Sequence, residues 1–147
     1  MTVLRVWLFC PLILLLHPCN KVPGVDYIDA TEQAWFGGPV ATHGIYYKVY
    51  FLHREIRGLR FDSLWIAGKR LRAELLESEQ KGDTVIVFAH DYRGIRHPQD
   101  LAAEMEENNA AFPIASDAAA ILGAFAGTHR VFIPVRTFRK LPALFYP

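Results

Sequence analysis

Ile45-Tyr46-Tyr47-Lys48-Val49-Tyr50-Phe51-Leu52 is the stretch on which the fold turns. Aromatic and β-branched residues dominate it, and alternation puts Ile45, Tyr47, Val49 and Phe51 on one face and Tyr46, Tyr50 and Leu52 on the other. With both faces apolar, the segment reads as a central strand covered on each side. Thr84–His90 repeats the pattern, with Val85, Val87 and Ala89 opposed to Ile86 and Phe88.

Outward from these two strands the chain is punctuated by turn residues. Ile28–Phe36 has extended character and stops at Gly37-Gly38-Pro39. In Leu59–Ile66 the alternation of Leu59 and Phe61 changes phase at Leu64 and Ile66, so a bulge near Asp62-Ser63 is required to keep one face apolar. Ala67-Gly68-Lys69 is a tight turn into Arg70–Leu76, and the polar run Ser78–Lys81 leads to a second turn at Gly82-Asp83, which together spell hairpins. Arg130–Phe138 turns Val131, Ile133 and Val135 inward, and Pro134, which has no amide hydrogen, asks for an edge position. Asp91–Asp117 is a long connection, predicted to be partly helical over Gln99–Asn108 behind Pro98. Ala118–Phe125 is ambiguous, since its alanines behind Asp117 favour a capped helix while Gly123 and Gly127 do not. The apolar tail Leu141–Pro147 is predicted to pack back on the domain. Short strands without βαβ alternation predict an all-β fold: an antiparallel, immunoglobulin-like β-sandwich of about seven strands over residues 27–147, carrying the long loop at 91–117.

The N-terminus supplies an address. Arg5 precedes the apolar run Val6–Leu16, which is too short to span a hydrocarbon core about 30 Å thick and contains Pro11. Residues 1–18 therefore read as a signal peptide. Leu16-His17-Pro18-Cys19 matches a lipoprotein processing site at Leu16 and Cys19, departs from it at Pro18, and is followed by a tether at 19–26. Cys19 is the predicted lipidation site, carrying several acyl chains of the palmitate kind, enough to hold the domain at a bilayer. Cys10 leaves with the leader, so the mature domain has neither thiol nor disulfide to spare and depends on its core. The expected location is the cell envelope, on the outer membrane.

Of 16 basic residues only Arg5 lies in the leader, leaving 15 against 15 acids, a balance that argues against a nucleic-acid partner. The charges are nonetheless segregated. Lys48, Arg54, Arg57, Arg60, Lys69, Arg70 and Arg72 face only Glu55 and Asp62 in that part of the sequence, while Asp100–Asp117 holds five acids and no base. A basic surface for an anionic envelope polymer, for another envelope protein or for headgroups is one reading, and ordinary solvated faces are the other.

Catalytic signals are sparse. His90, Asp91 and His97 fall around one strand end and are the ligand candidates, although they lack metal spacing and no cysteine supports them. Ser63, Ser78 and Ser116 sit in no G-x-S-x-G elbow. Asp62 and Glu32 flank aromatics in a faintly glycosidase-like way, for which edge-strand charge is the plainer account. Trp35 and Trp65 could be sugar platforms but are assigned to the core. No catalytic residue, cofactor or metal is therefore predicted.

Thr31–Gly38, Gly44–Tyr47, Phe61–Ile66, Lys81–Thr84 and Arg139–Pro147 resemble a group of small uncharacterised bacterial envelope lipoproteins over nearly the whole mature chain. The resemblance implies an all-β domain on a lipid anchor, with Ala118–Phe125 extended, and implies no activity. The expected function is that of a non-catalytic binding or assembly module tethered at Cys19. The competing expectation is an enzyme or metal-binding accessory acting on cell-wall or polysaccharide material through residues 90–97.

Overall fold

Eight strands account for most of the residues that the computed structural model describes, which are 25–37, 42–94 and 111–147, with side chains omitted at 77–81. They are β1 (Asp29–Gly37), β2 (Thr42–Leu52), β3 (Leu59–Ile66), β4 (Lys69–Lys81), β5 (Thr84–Arg93), β6 (Ala120–Ala126), β7 (His129–Val135) and β8 (Arg139–Tyr146), with a 3₁₀ turn at His53–Ile56 between β2 and β3. The leader, Cys19, His97 and the helix expected at 99–108 lie outside the described residues.

The all-β expectation holds, with three differences. The described residues form eight strands in a single open sheet ordered β7-β6-β3-β4-β5-β2-β1-β8, and that sheet is mixed because β8 runs parallel to β1. The eighth strand is the C-terminal tail, whose alternation is blurred by Pro142 and whose pairing partner lies at the far end of the sequence.

One connection shows that the sheet is curled. β7 and β8 occupy opposite edges, yet only residues 136–138 separate them. Four Cα–Cα steps reach about 14 Å at most, whereas a flat sheet would hold its first and eighth strands roughly 34 Å apart. The long β4 makes the bend: Lys69–Arg72 pair with β3, and from Ala73 onward its partner is β5. The sheet thus curls about β4 into two halves, or layers, whose inward sides share one apolar core. The polar run Ser78–Lys81 is the end of β4, which leads into the turn at Gly82-Asp83.

A single core fills the space between the layers. Val49 and Phe51 from β2, Val85 and Val87 from β5, Leu64 from β3, Leu122 from β6 and Val135 from β7 are each at most 1% exposed. Phe51 and Phe61, from opposite layers, have ring centroids 5.6 Å apart. The expected bulge is present, as the β3–β6 register shifts between Phe61 and Ser63, turning Leu64 and Ile66 inward with Phe61. Residues 67 and 68 form a two-residue turn with both φ positive (50° and 75°), the geometry that joins twisted strands without splaying them. Pro134 lies on edge strand β7, as its missing donor requires.

The ambiguous alanine segment is strand β6, flanked by β3 and β7. Ladders on both sides outweigh intrinsic helix preference, and Ala120 and Ala124, fully buried, have the small side chains that the narrow interior accepts. β5 runs on through Arg93, so the long connection begins after the point expected from sequence.

Candidate functional site

Of the three ligand candidates, the structure describes His90 and Asp91, and it turns them apart. His90 and Asp91 are consecutive on β5, and successive strand residues point to opposite faces. His90 lies on the outer face, where its Nε2 accepts a hydrogen bond of 2.9 Å from the Trp35 indole N–H. Asp91 points inward, is buried, and accepts from Lys69 Nζ at 2.9 and 3.0 Å and from Arg93 Nη2 at 3.3 Å. Two cations therefore occupy that carboxylate. Among the described residues no group of three His, Cys, Asp or Glu side chains is placed to hold a metal ion.

Asp91 also shapes its surroundings. Burial pushes the neighbouring Tyr47 phenol up to about 12, the Asp91 and Glu32 carboxylates push in the same direction, and Arg93 opposes them. Glu32 itself pairs with Lys140 at 3.4 Å. Among the described residues this end of the interior is an ion cluster in which each carboxylate has a cation partner.

Both tryptophans assigned to the core are buried, at 7% exposure, but neither belongs to the shared interior. Each lies on the outer face of its layer, across a strand glycine. Trp35 is paired with Gly44, and a Cβ at Gly44 would stand 2.6 Å from its Nε1. Trp65 crosses Gly123, where a Cβ would meet its Cζ3 at 2.6 Å. A glycine inside a strand leaves a bare patch of backbone that an aromatic ring can cover.

The two covered faces differ chemically. Around Trp35 the neighbours are rings: Tyr46 at 5.8 Å between centroids, His90 at 5.5 Å, Tyr92 at 5.7 Å and Tyr146 at 6.3 Å. Around Trp65 the neighbours are guanidiniums. Arg70 and Arg130 each place Cζ 5.3 Å from the Trp65 ring, while Arg130 and Arg60 flank Phe125 at 4.9 and 4.8 Å. The registers explain the ladder, because Arg60, Phe125 and Arg130 are directly paired across β3, β6 and β7. Phe132 closes it, edge-on to Trp65.

Asp62, on the bulge, fixes this arrangement. Its carboxylate accepts from Arg130 Nη2 at 2.8 and 3.0 Å and from Arg70 Nη2 at 3.3 Å, and the Ser63 hydroxyl donates to it at 3.0 Å. Ser63 accepts in turn from Arg130 at 2.8 Å. Asp62 is thus an arginine clamp, and it lies on an inner strand where edge-strand protection has no part.

Three of the basic residues noted in the sequence, Arg60, Arg70 and Arg72, share this face. Arg130 is the member that sequence reasoning missed, together with Phe125 and Phe132. The available signal was on β7, where Arg130, Phe132 and Pro134 are the outward complement of Val131, Ile133 and Val135, and on β6, where a mid-strand glycine marks a close approach. No protein-family model, curated protein or solved structure matches the chain.

Proposed function

We propose that the protein is an exported envelope lipoprotein, held at a membrane through Cys19, whose folded domain is a non-catalytic module that binds an anionic envelope component. The leader, the short apolar run and the following cysteine support the address. One observation carries the binding half of the reading: Arg60, Arg70, Arg72 and Arg130 gather on a single outer face, with Asp62 central among them and Glu74 4.0 Å from Arg72. Guanidiniums laid on rings hold their N–H edges toward solvent, where they can donate to the oxygens of an oxyanion such as carboxylate or phosphate. The resemblance to small envelope lipoproteins agrees with this assignment and adds no activity to it.

The experiment is metabolic labelling with a fatty-acid analogue in cells expressing the full chain or Cys19→Ala, followed by fractionation. Label and membrane recovery in the wild type, both lost in Cys19→Ala, are the expected result. An unlabelled chain in the cytosolic fraction with its first twenty residues intact would refute the address. Retention of the chain on an isolated envelope fraction is expected to fall as salt rises, since the contact is electrostatic.

A further inference from the structure

The arginine face has a shape that narrows its partner. Its cations stand on β4, β3 and β7, with β6 between the last two, so the face covers four neighbouring strands whose three gaps span about 14 Å. A small anion would engage one or two guanidiniums and leave the others unused. The rings below are also capped: Arg60 and Arg130 lie over Phe125, and Arg70 and Arg130 over Trp65, so the face presents N–H donors where a sugar-stacking platform would present bare aromatic planes. Among the described residues of this face, counting Asp62 and Glu74 against the four arginines leaves a net charge of +2. Arg72 is 86% exposed and Arg70 45%, and among the described residues no carboxylate lies within ion-pair reach of Arg60.

We infer that this face docks on the phosphate headgroups of an anionic bilayer. The inference rests on the envelope reading above and extends it by naming the partner. From Cys19 to the first residue of β1, Asp29, ten Cα–Cα steps reach roughly 35 Å, so a lipid at Cys19 keeps the domain within one molecular diameter of the surface. At that distance a headgroup layer is the anionic surface continuously present. Each arginine near an anionic leaflet adds to the attraction, and charge with an acyl anchor makes the two-signal combination that lasting attachment needs.

The test uses the full chain carrying Cys19→Ala, so that no lipid contributes, and compares sedimentation with phosphatidylcholine vesicles to sedimentation with vesicles that also contain phosphatidylglycerol. The apolar leader contributes to both, and the ratio isolates charge. The expected result is a preference for anionic vesicles that falls with salt, and that drops at least about tenfold in Arg60→Glu/Arg72→Glu, where two positive charges become negative. Arg60→Lys/Arg72→Lys, which keeps the charge, is expected to retain most of the preference, with circular dichroism checking the fold of both variants. Equal binding to the two vesicle types, or an undiminished preference in the double glutamate variant, would overturn the inference. Binding to soluble polyphosphate without binding to vesicles would also overturn it, in favour of an anionic polymer. Fatty-acid labelling reads the anchor separately, so an unlabelled chain that still selects anionic vesicles would refute the anchor and leave the face standing.

Discussion

Replacing Gly44 by alanine tests how the outer face around Trp35 is built. The added Cβ would lie 2.6 Å from Trp35 Nε1 and 2.9 Å from Cε2, with the Asp91 carbonyl oxygen closer still. Comfortable separations are about 3.5 Å or more, so the indole must lift by roughly 1 Å. That movement breaks its hydrogen bond to His90, about 1 kcal/mol, and weakens ring contacts with Tyr46, Tyr92 and Tyr146 worth about 0.5–1.5 kcal/mol each. Strain against the β5 backbone adds about 1–3 kcal/mol, while the stiffer unfolded chain returns about 0.5–1 kcal/mol. The net expectation is a loss of about 3 kcal/mol, or roughly 12 °C in midpoint for a domain of this size. Urea unfolding followed by far-UV circular dichroism and tryptophan fluorescence reads both the stability and the indole environment. In a Trp35→Ala background the cost of Gly44→Ala is expected to shrink without vanishing, because the Asp91 carbonyl is still in the way. A change below about 0.5 kcal/mol with unaltered fluorescence would refute the reasoning.

Other consequences follow from burial and charge. Phe51→Ala, at a fully buried site between the layers, is expected to cost about 3–5 kcal/mol, whereas Phe145→Ala, 77% exposed on β8, should stay within about 0.5 kcal/mol; denaturant midpoints of the two variants check the contrast. Asp91→Asn removes the charge that Lys69 and Arg93 share, and a loss of about 2–3 kcal/mol is expected, below the range for fully buried pairs because Arg93 is 52% exposed and can turn to solvent. Alkaline stability carries the signature of Tyr47. The folded phenol keeps its proton to about 12 and the unfolded one releases it near 10, so stability is constant below pH 10, falls as pH rises from about 10 to 12, and levels off above that. Tyr47→Phe should flatten this decline, leaving the smaller share of Tyr46, whose phenol is also raised by burial and by Tyr146. A thermal midpoint series across that range, with phenolate absorbance, decides the matter.

What the sequence made legible follows from how local each signal is. The central strands, the turn at 67–68, the bulge at Asp62-Ser63 and the edge position of Pro134 were readable because each depends on a few consecutive residues. The parallel pairing of β8 with β1 was not, since it joins residues 108 positions apart, as in Thr31 with Arg139, and leaves no trace in either segment alone. The tryptophans illustrate the same limit. Hydrophobic size and strand position correctly indicated that Trp35 and Trp65 are buried, but the glycines they cover lie on other strands, so which face receives the burial depends on registers that sequence does not print. The basic cluster was visible as composition, and its completion by Arg130 was not, for the residue is 58 positions from Arg72 and joins it only through the β3–β6–β7 ladder.

The two outer faces point to a division of labour within one sheet. The described interior is apolar, with an ion cluster at Asp91, and the binding proposed above is assigned to the outward sides of the two layers. On the β4-β3-β6-β7 side, aromatic planes serve as supports beneath arginines, and a single carboxylate at the bulge orients two of them. Removing that carboxylate separates support from attraction. Asp62→Asn raises the net positive charge of the face while releasing Arg70 and Arg130 from their fixed directions. If charge alone governs docking, this variant binds anionic vesicles more tightly than the wild type. If fixed geometry governs it, binding weakens despite the extra charge. The bilayer reading requires the first outcome, because a fluid headgroup layer adapts to the cations it meets; weaker binding in Asp62→Asn would mean that the face recognises a rigid oxyanion pattern and that the bilayer is the wrong partner.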